Sequence, residues 1–411
     1  MIMGKTCEGK EMTKQGRVFV FMMDSFGIGG APDAGKYANE GANTLGHIAA
    51  VNLGLKIPNL MALGLGDAAK GASGVFPAVG AQPPAVLRLP SKFGYAREVS
   101  VDKDTVSGHW EMAGLPNLQG WGHFPPQYPS FPAELTNALV NEAGLAGILG
   151  NKAASGTVII QELGEEHIRS GKPICYTSAD SCFQIAAHEK YFGLERLYDV
   201  CETAYRLVQP YHIGRIIARP FVGEKTGEFV RTANRRDYAA QPFGETLLDR
   251  LKVAGHEVIA VGAINDIYAH RGITKGVRAA GLEALWDATL REMKTAPSGS
   301  LVFTNFEDFD MLYGHRRDVK GYARALEYFD RRLPEILPFL QDDDLVFITA
   351  DHGNDPTYGG TDHTREQVPV LMFGRKAAAE DIGQRDTYAD IGQTIAAYLE
   401  IRPLDYGVSF L

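Results

Sequence analysis

Short runs of β-branched and aromatic residues recur along the chain, each closed by a polar or glycine-rich stretch. Residues 17–23 (RVFVFMM), 257–263 (EVIAVGA), 300–305 (SLVFTN) and 345–349 (LVFIT) each hold a short, mostly apolar run. They read as buried strands. Helical spacing of apolar positions marks residues 243–254, 281–294 and 321–340. Strands that alternate with helices predict an α/β domain on a mostly parallel sheet. A further strand is expected at 93–99, a short helix within 43–65, and a surface loop over the Gly/Pro/Ala-rich residues 71–90.

Midway the pattern is interrupted. Residues 119–132 turn rich in Pro, Gly and aromatic side chains, which suits a hinge between domains. A second alternation follows: helix 132–145, strand 173–177, helix 194–207 and strand 215–221. The large-domain pattern returns near Pro242. The expected organisation is a loose N-terminal extension at 1–16, a core at 17–120, a smaller inserted α/β domain at 121–239, and the rest of the core at 240–411. A length of 411 residues itself favours two domains.

Composition narrows the function classes. The chain is 45% hydrophobic and 22% charged, ordinary values for a soluble globular protein. A net charge of −9 without a dense Lys/Arg stripe argues against a nucleic-acid surface, while leaving room for a local basic pocket. No apolar run approaches the ~18 residues of a membrane span, and the start lacks a signal-peptide core. The cysteines, Cys7, Cys175, Cys182 and Cys201, form no CxxC pair and no disulfide framework, which points to a reducing cytoplasm. Nothing indicates an obligatory protein partner.

The candidate chemistry sits where strands end. Asp24 closes the first strand, and Asp351-His352-Gly353 closes the strand at 345–349, followed by a Gly-rich loop to Asp362-His363. Asp310 and His315 follow the strand at 300–305; their spacing around Gly314 suits a loop more than a helical face. The ends of strands in an open α/β sheet are where ligands bind. Taken singly, Asp24 reads as well as a turn or helix-cap residue, and the histidines as surface groups. Together, three carboxylates and three neutral imidazoles can hold two divalent ions and leave about one positive charge for a phosphate or alkoxide. Residues 102–110 (DKDTVSGHW) offer hydroxyls at a capping sequence: Thr105 is the natural nucleophile beside such ions, and Ser107 lies close by. The arginines Arg215, Arg219 and Arg231 can fork onto a phosphate or simply form a solvated face.

These segments, MDSFGIGGAPDA, DKDTVSGHWEMAG, YTSADSCFQIAAHE, GRIIARPFVGE, FDMLYGHRRDVKGYA and TADHGNDPTYGGTDHTRE, resemble the alkaline phosphatase superfamily, and within it the phosphopentomutase family. The resemblance runs from about residue 17 to the C-terminus. It implies a metal-bearing α/β core with helices on both faces of the sheet and an inserted cap. It implies two manganese ions, with Zn²⁺ or Mg²⁺ as alternatives: one held by Asp310, His315 and His363, the other by Asp24, Asp351 and His352. Thr105 would carry phosphate. Ser178 and Asp180 would contact the ribose, and Arg215 and Arg231 would anchor the 5-phosphate. The implied reaction, in nucleoside catabolism, interconverts (deoxy)ribose 1-phosphate and 5-phosphate through a sugar 1,5-bisphosphate, with a sugar bisphosphate as primer and pentose phosphates as the partners. A cap that excludes water would separate mutase from hydrolase behaviour.

Rival readings are a metal-dependent phosphatase, a cofactor-independent phosphoglycerate mutase with Ser107 as nucleophile, and a non-catalytic sugar-phosphate binder. One departure from the family pattern stands out. Ala263 occupies a position where a lysine is expected, and Arg236 one where histidine is expected; a guanidinium at 236 can offset the lost ammonium.

Overall fold

Strands Val18–Met22, Leu301–Asn305 and Leu345–Thr349 are fully buried and lie side by side, with Val18–Met22 between the other two. Burial on both faces explains their mostly apolar character. The computed structural model describes residues 16–178 and 181–411. These fall into two compact units: residues up to Leu118 together with Pro242–Leu411, and Gln119–Gln241.

Among the described residues the larger unit has an eight-stranded sheet. Its order is Lys275–Val277, Val258–Val261, Leu301–Asn305, Val18–Met22, Leu345–Thr349, Val368–Phe373, Ser91–Ala96 and Glu380–Arg385. The first five run parallel. Val368–Phe373 is antiparallel to both neighbours, and Glu380–Arg385 is parallel to Ser91–Ala96. Helices cover both faces. Val20, Phe303 and Phe347 share one row; Phe303 stacks on His109 of helix Thr105–Met112 at 5.7 Å. The next row, Phe21 and Thr304, meets helix Leu282–Thr295 on the other side. There Phe21 packs edge-on to Trp286 at 5.4 Å, and the Thr304 and Thr289 hydroxyls pair at 2.8 Å.

Among the described residues the smaller unit has a six-stranded sheet ordered Leu149–Ala153, Ile174–Thr177, Cys182–His188, Arg215–Val222, Val230–Arg231, with Arg236–Ala239 pairing to Arg215–Val222. Helices Ala133–Glu142 and Leu194–Leu207 bury Leu135, Leu139, Leu197 and Val200 against Phe183, Ile185 and Ile216. Helix Gly156–Ser170 buries Ile159 and Ile160 against Ile174, Tyr176 and Phe221. Cys175, Cys182 and Cys201 are buried free thiols.

Several elements differ from the sequence reading. The helix expected over 321–340 spans Val319–Arg332, started by Asp318, which accepts from the Gly321 amide, and stopped before Pro334. The helix expected from 243 begins at Leu247, where Thr246 and Asp249 form a capping box. No described helix is long and apolar enough to cross a membrane.

Candidate functional site

Three neighbouring parallel strands end together, because Met22 pairs with both Asn305 and Thr349. Asp24, Asn305 and Asp351 therefore emerge side by side. The Asn305 side-chain amide donates to Asp24 Oδ2 at 2.8 Å. Ser25, held at φ 68°, turns its amide to donate to Asp351 Oδ1 at 3.0 Å. Asp24 Oδ1 and Asp351 Oδ2 are buried without a hydrogen-bond partner. Burial, reinforced by the Asp351 and Asp310 carboxylates, pushes the Asp24 carboxyl well above its usual range.

Asp310 lies on a π-helical turn, Phe309–Gly314, and His315 caps its C-terminal end, rather than both lying in a loop. The His315 amide donates to the Asp310 carbonyl at 2.9 Å, so a spacing of five brings both side chains to one side. His315 Nε2 is 3.0 Å from Asp310 Oδ2, and His363 Nε2 is 3.5 Å from Asp310 Oδ1. His315 Nδ1 lies 2.7 Å from the Thr361 carbonyl, and His363 Nδ1 lies 2.9 Å from that of Lys103. Donation from both Nδ1 atoms leaves the Nε2 lone pairs facing each other at 3.1 Å. Two opposed lone pairs beside a carboxylate fit a shared cation, with the carbonyls orienting its ligands.

Asp310, His315 and His363 form one group able to hold an ion; Asp24, Asp310 and His352 form a second, so Asp310 is common to both. Asp351 Oδ2 stands 3.4 Å from His352 Nε2, and Asp24 Oδ1 stands 3.5 Å from it. All six residues singled out from the sequence as ligands therefore converge. Burial holds the His352 imidazole below its usual value, which keeps it neutral near pH 7.

Thr105 is the first residue of helix Thr105–Met112. Asp104 caps that helix, accepting from the Val106 and Ser107 amides at 3.0 and 3.2 Å. Thr105 Oγ1 lies 3.2 Å from His352 Nε2. Ser107 is fully buried, and its hydroxyl donates to Asp104 Oδ2 at 2.7 Å. The helix start is a favourable place for an anion on Thr105. Gly108 lets this helix press against the Asp351 backbone: a methyl there would sit 1.9 Å from the Asp351 carbonyl oxygen. Gly108→Ala is expected to destabilise the fold by about 1–3 kcal/mol and to cost activity by moving Thr105 away from His352. Denaturation and turnover measured on one preparation check this.

A model of the metalloenzyme superfamily matches residues 16–403. A phosphopentomutase of Elusimicrobium minutum is 62% identical over 395 residues, covering 96% of this chain and 100% of its own. Phosphopentomutases of Aeromonas salmonicida and Legionella pneumophila are 56% and 58% identical, each with 96% and 100% coverage. The chain belongs to the phosphopentomutase family. It is accordingly an isomerase and a metal-binding enzyme. A solved structure of Leishmania mexicana phosphoglycerate mutase matches with a TM-score of 0.48 at 13% identity, covering 98% of each chain.

In this member of the phosphopentomutase family, Asn305 and Asn354 also support the carboxylates. The Asn354 side chain donates to Asp310 Oδ1 at 2.7 Å. Neither was singled out from the sequence, because an asparagine at a strand end or turn is commonplace. Glu366 is a third such residue. It accepts from the Thr44 amide and hydroxyl at 2.8 and 2.7 Å and from the Thr364 hydroxyl at 2.6 Å, next to the loop that carries His363. Burial raises its carboxyl to about 7. Unfolded glutamate titrates near 4.3. Between those values the folded chain keeps a proton that the unfolded chain has lost, so stability falls as pH rises through this window and is level above it. Glu366→Gln is expected to remove that fall, so that its stability relative to the parent rises by about 3 kcal/mol between pH 4 and pH 8. Parallel stability–pH curves for the two proteins would contradict it.

The smaller unit of this phosphopentomutase-family chain carries the remaining candidates. Ser178 Oγ accepts from the Gln184 amide at 3.2 Å. Arg231 reaches the Tyr176 hydroxyl at 3.4 Å, while its Nε is buried without an acceptor. Arg215 is half-exposed and 3.6 Å from Asp237. Asp180 lies outside the described residues. Arg236 has its guanidinium 5.2 Å from the centres of both the Tyr198 and Tyr238 rings. Ala263, in the larger unit, starts the short helix Ile264–Ile267.

Proposed function

We propose that the chain interconverts ribose 1-phosphate, or its 2-deoxy form, with the 5-phosphate, using Thr105 as the phosphate carrier. The observation that carries this reading is the Thr105 hydroxyl at a helix start, 3.2 Å from His352 Nε2 and beside the cluster that suits cations. Asp310, His315 and His363 are assigned to one manganese ion, and Asp24, Asp351 and His352 to the other. Bound divalent ions supply charge neutralisation for the transferring phosphoryl group and the oxygens on either side of it.

The cycle starts from phosphothreonine, formed by a priming sugar bisphosphate. The Thr105 Oγ1–P bond breaks as a bond forms from phosphorus to the sugar O5, whose proton passes to Oγ1. The product is the 1,5-bisphosphate. In the second half the O1–P bond breaks, Oγ1–P forms again, and the Thr105 proton passes to O1. No water is consumed. The smaller unit is read as the inserted cap, where Ser178 and Asp180 bind the ribose and Arg215 and Arg231 bind the 5-phosphate. The buried, unsatisfied Nε of Arg231 supports an anion there. The free thiols Cys175, Cys182 and Cys201 support the cytoplasm as the compartment.

Incubation with Mn²⁺, a trace of sugar bisphosphate and ribose 1-phosphate tests the reading, with ribose 5-phosphate and free phosphate measured separately. Ribose 5-phosphate without matching free phosphate is the expected result. Stoichiometric free phosphate instead would make the chain a phosphatase.

A further inference from the structure

We infer that Arg317 is a positioning residue that assembles the ion site of Asp310, His315 and His363 and bears on the other only through the Asp310 they share. The inference rests on the reading of Asp310, His315 and His363 as the ligands of one ion. Those ligands come from two segments: the π-helical turn, and the loop that ends at His363. Lys103 holds the end of that loop, its Nζ donating to Asp362 Oδ2 at 2.6 Å, but the middle is open. A Cβ at Gly359 or Gly360 would meet nothing within 4 Å.

Arg317 joins the two segments. Its backbone is left-handed, with φ 55°, which turns the side chain back over the loop. Nε donates to the Gly360 carbonyl at 2.6 Å and Nη2 to the Asp362 carbonyl at 2.9 Å. The carbonyl between these two, that of Thr361, accepts from His315 Nδ1. Nη1 donates to the Gly314 and Asp355 carbonyls, each at 3.1 Å, and to Asn354 Oδ1. Asn354 in turn donates to Asp310 Oδ1. Arg317 thus fixes the carbonyl that orients His315, the amide that orients Asp310, and the backbone just before His363. Among the described residues, Arg317 makes no direct hydrogen bond or ion pair to Asp24, Asp351 or His352. The planar guanidinium carries five N–H donors in a fixed fork, and a lysine has neither the fork nor the reach to so many acceptors.

Loss of partners that orient metal ligands costs 10–100-fold in metal affinity. The test is equilibrium dialysis of the full chain against graded Mn²⁺, with ions per chain counted by elemental analysis, for the parent, Arg317→Lys and Arg317→Gln. The parent should take up two ions. Each variant should bind one ion 10–100-fold more weakly and the other, which shares only Asp310 with this network, with a clearly smaller loss, thermal unfolding in saturating Mn²⁺ confirming the fold. Should Arg317→Gln fail to fold, Arg317→Lys, which keeps the charge, decides. Two ions bound at parental affinity in a folded variant, or both weakened alike, would overturn the role given to Arg317. A parent that binds fewer than two ions would instead overturn the ligand assignment, and this inference with it.

Discussion

Thr105→Ala is expected to lower kcat by on the order of 10⁴–10⁶-fold, as removal of a covalent nucleophile does elsewhere. The residue starts helix Thr105–Met112 and touches His352, but the helix is capped by Asp104 rather than by Thr105 itself. The cap, the buried Ser107–Asp104 bond and the close packing of Gly108 all survive the substitution. Stability and metal content should therefore change little. Restored turnover in Thr105→Ser, with none in Thr105→Ala, would mark the hydroxyl as the reacting group. Turnover in Thr105→Ala within tenfold of the parent would remove Thr105 from the chemistry.

Asp310→Ala should do comparable damage by another route. Asp310 belongs to both candidate ion groups and touches His315 and His363. Without its carboxylate the opposed imidazoles lose their negative partner, and both ions lose a neighbour. Metal content is expected to fall below one ion per chain, and kcat by on the order of 10³-fold or more, since metal-assisted phosphoryl transfer relies on that charge. His363→Ala removes a ligand from one group alone and should leave one ion. Elemental analysis of the two variants beside the parent checks the contrast. Two ions retained in Asp310→Ala would show that the ligands lie elsewhere.

How much of this could be read from the chain depended on whether local pattern and tertiary role agreed. Strands buried on both faces were legible because burial leaves an unbroken apolar run, as at Leu345–Thr349. The edge strand Glu380–Arg385, EDIGQR, carries no such run and went unseen. The five-residue spacing of Asp310 and His315 fits neither an α-helix nor a strand, and the π-helical turn that aligns them has no signature of its own. Thr105 was preferred to Ser107 on the family pattern alone; the Asp104 cap adds the physical reason, turning the Ser107 hydroxyl into the fold. Asp24, Asp351, His352 and His363 were legible because strand ends in open α/β sheets gather ligands. Asn305, Asn354 and Arg317 were not, since orienting a ligand requires only an ordinary polar side chain in the right place.

The central claim, a mutase that works through phosphothreonine, is tested most directly by peptide mapping of the full chain after priming with a sugar bisphosphate in Mn²⁺. One phosphoryl group on Thr105, whose isotopic label passes to the sugar O5 when ribose 1-phosphate is added, is the expected result. Phosphate on Ser107, or none on the peptide that holds both, would contradict it.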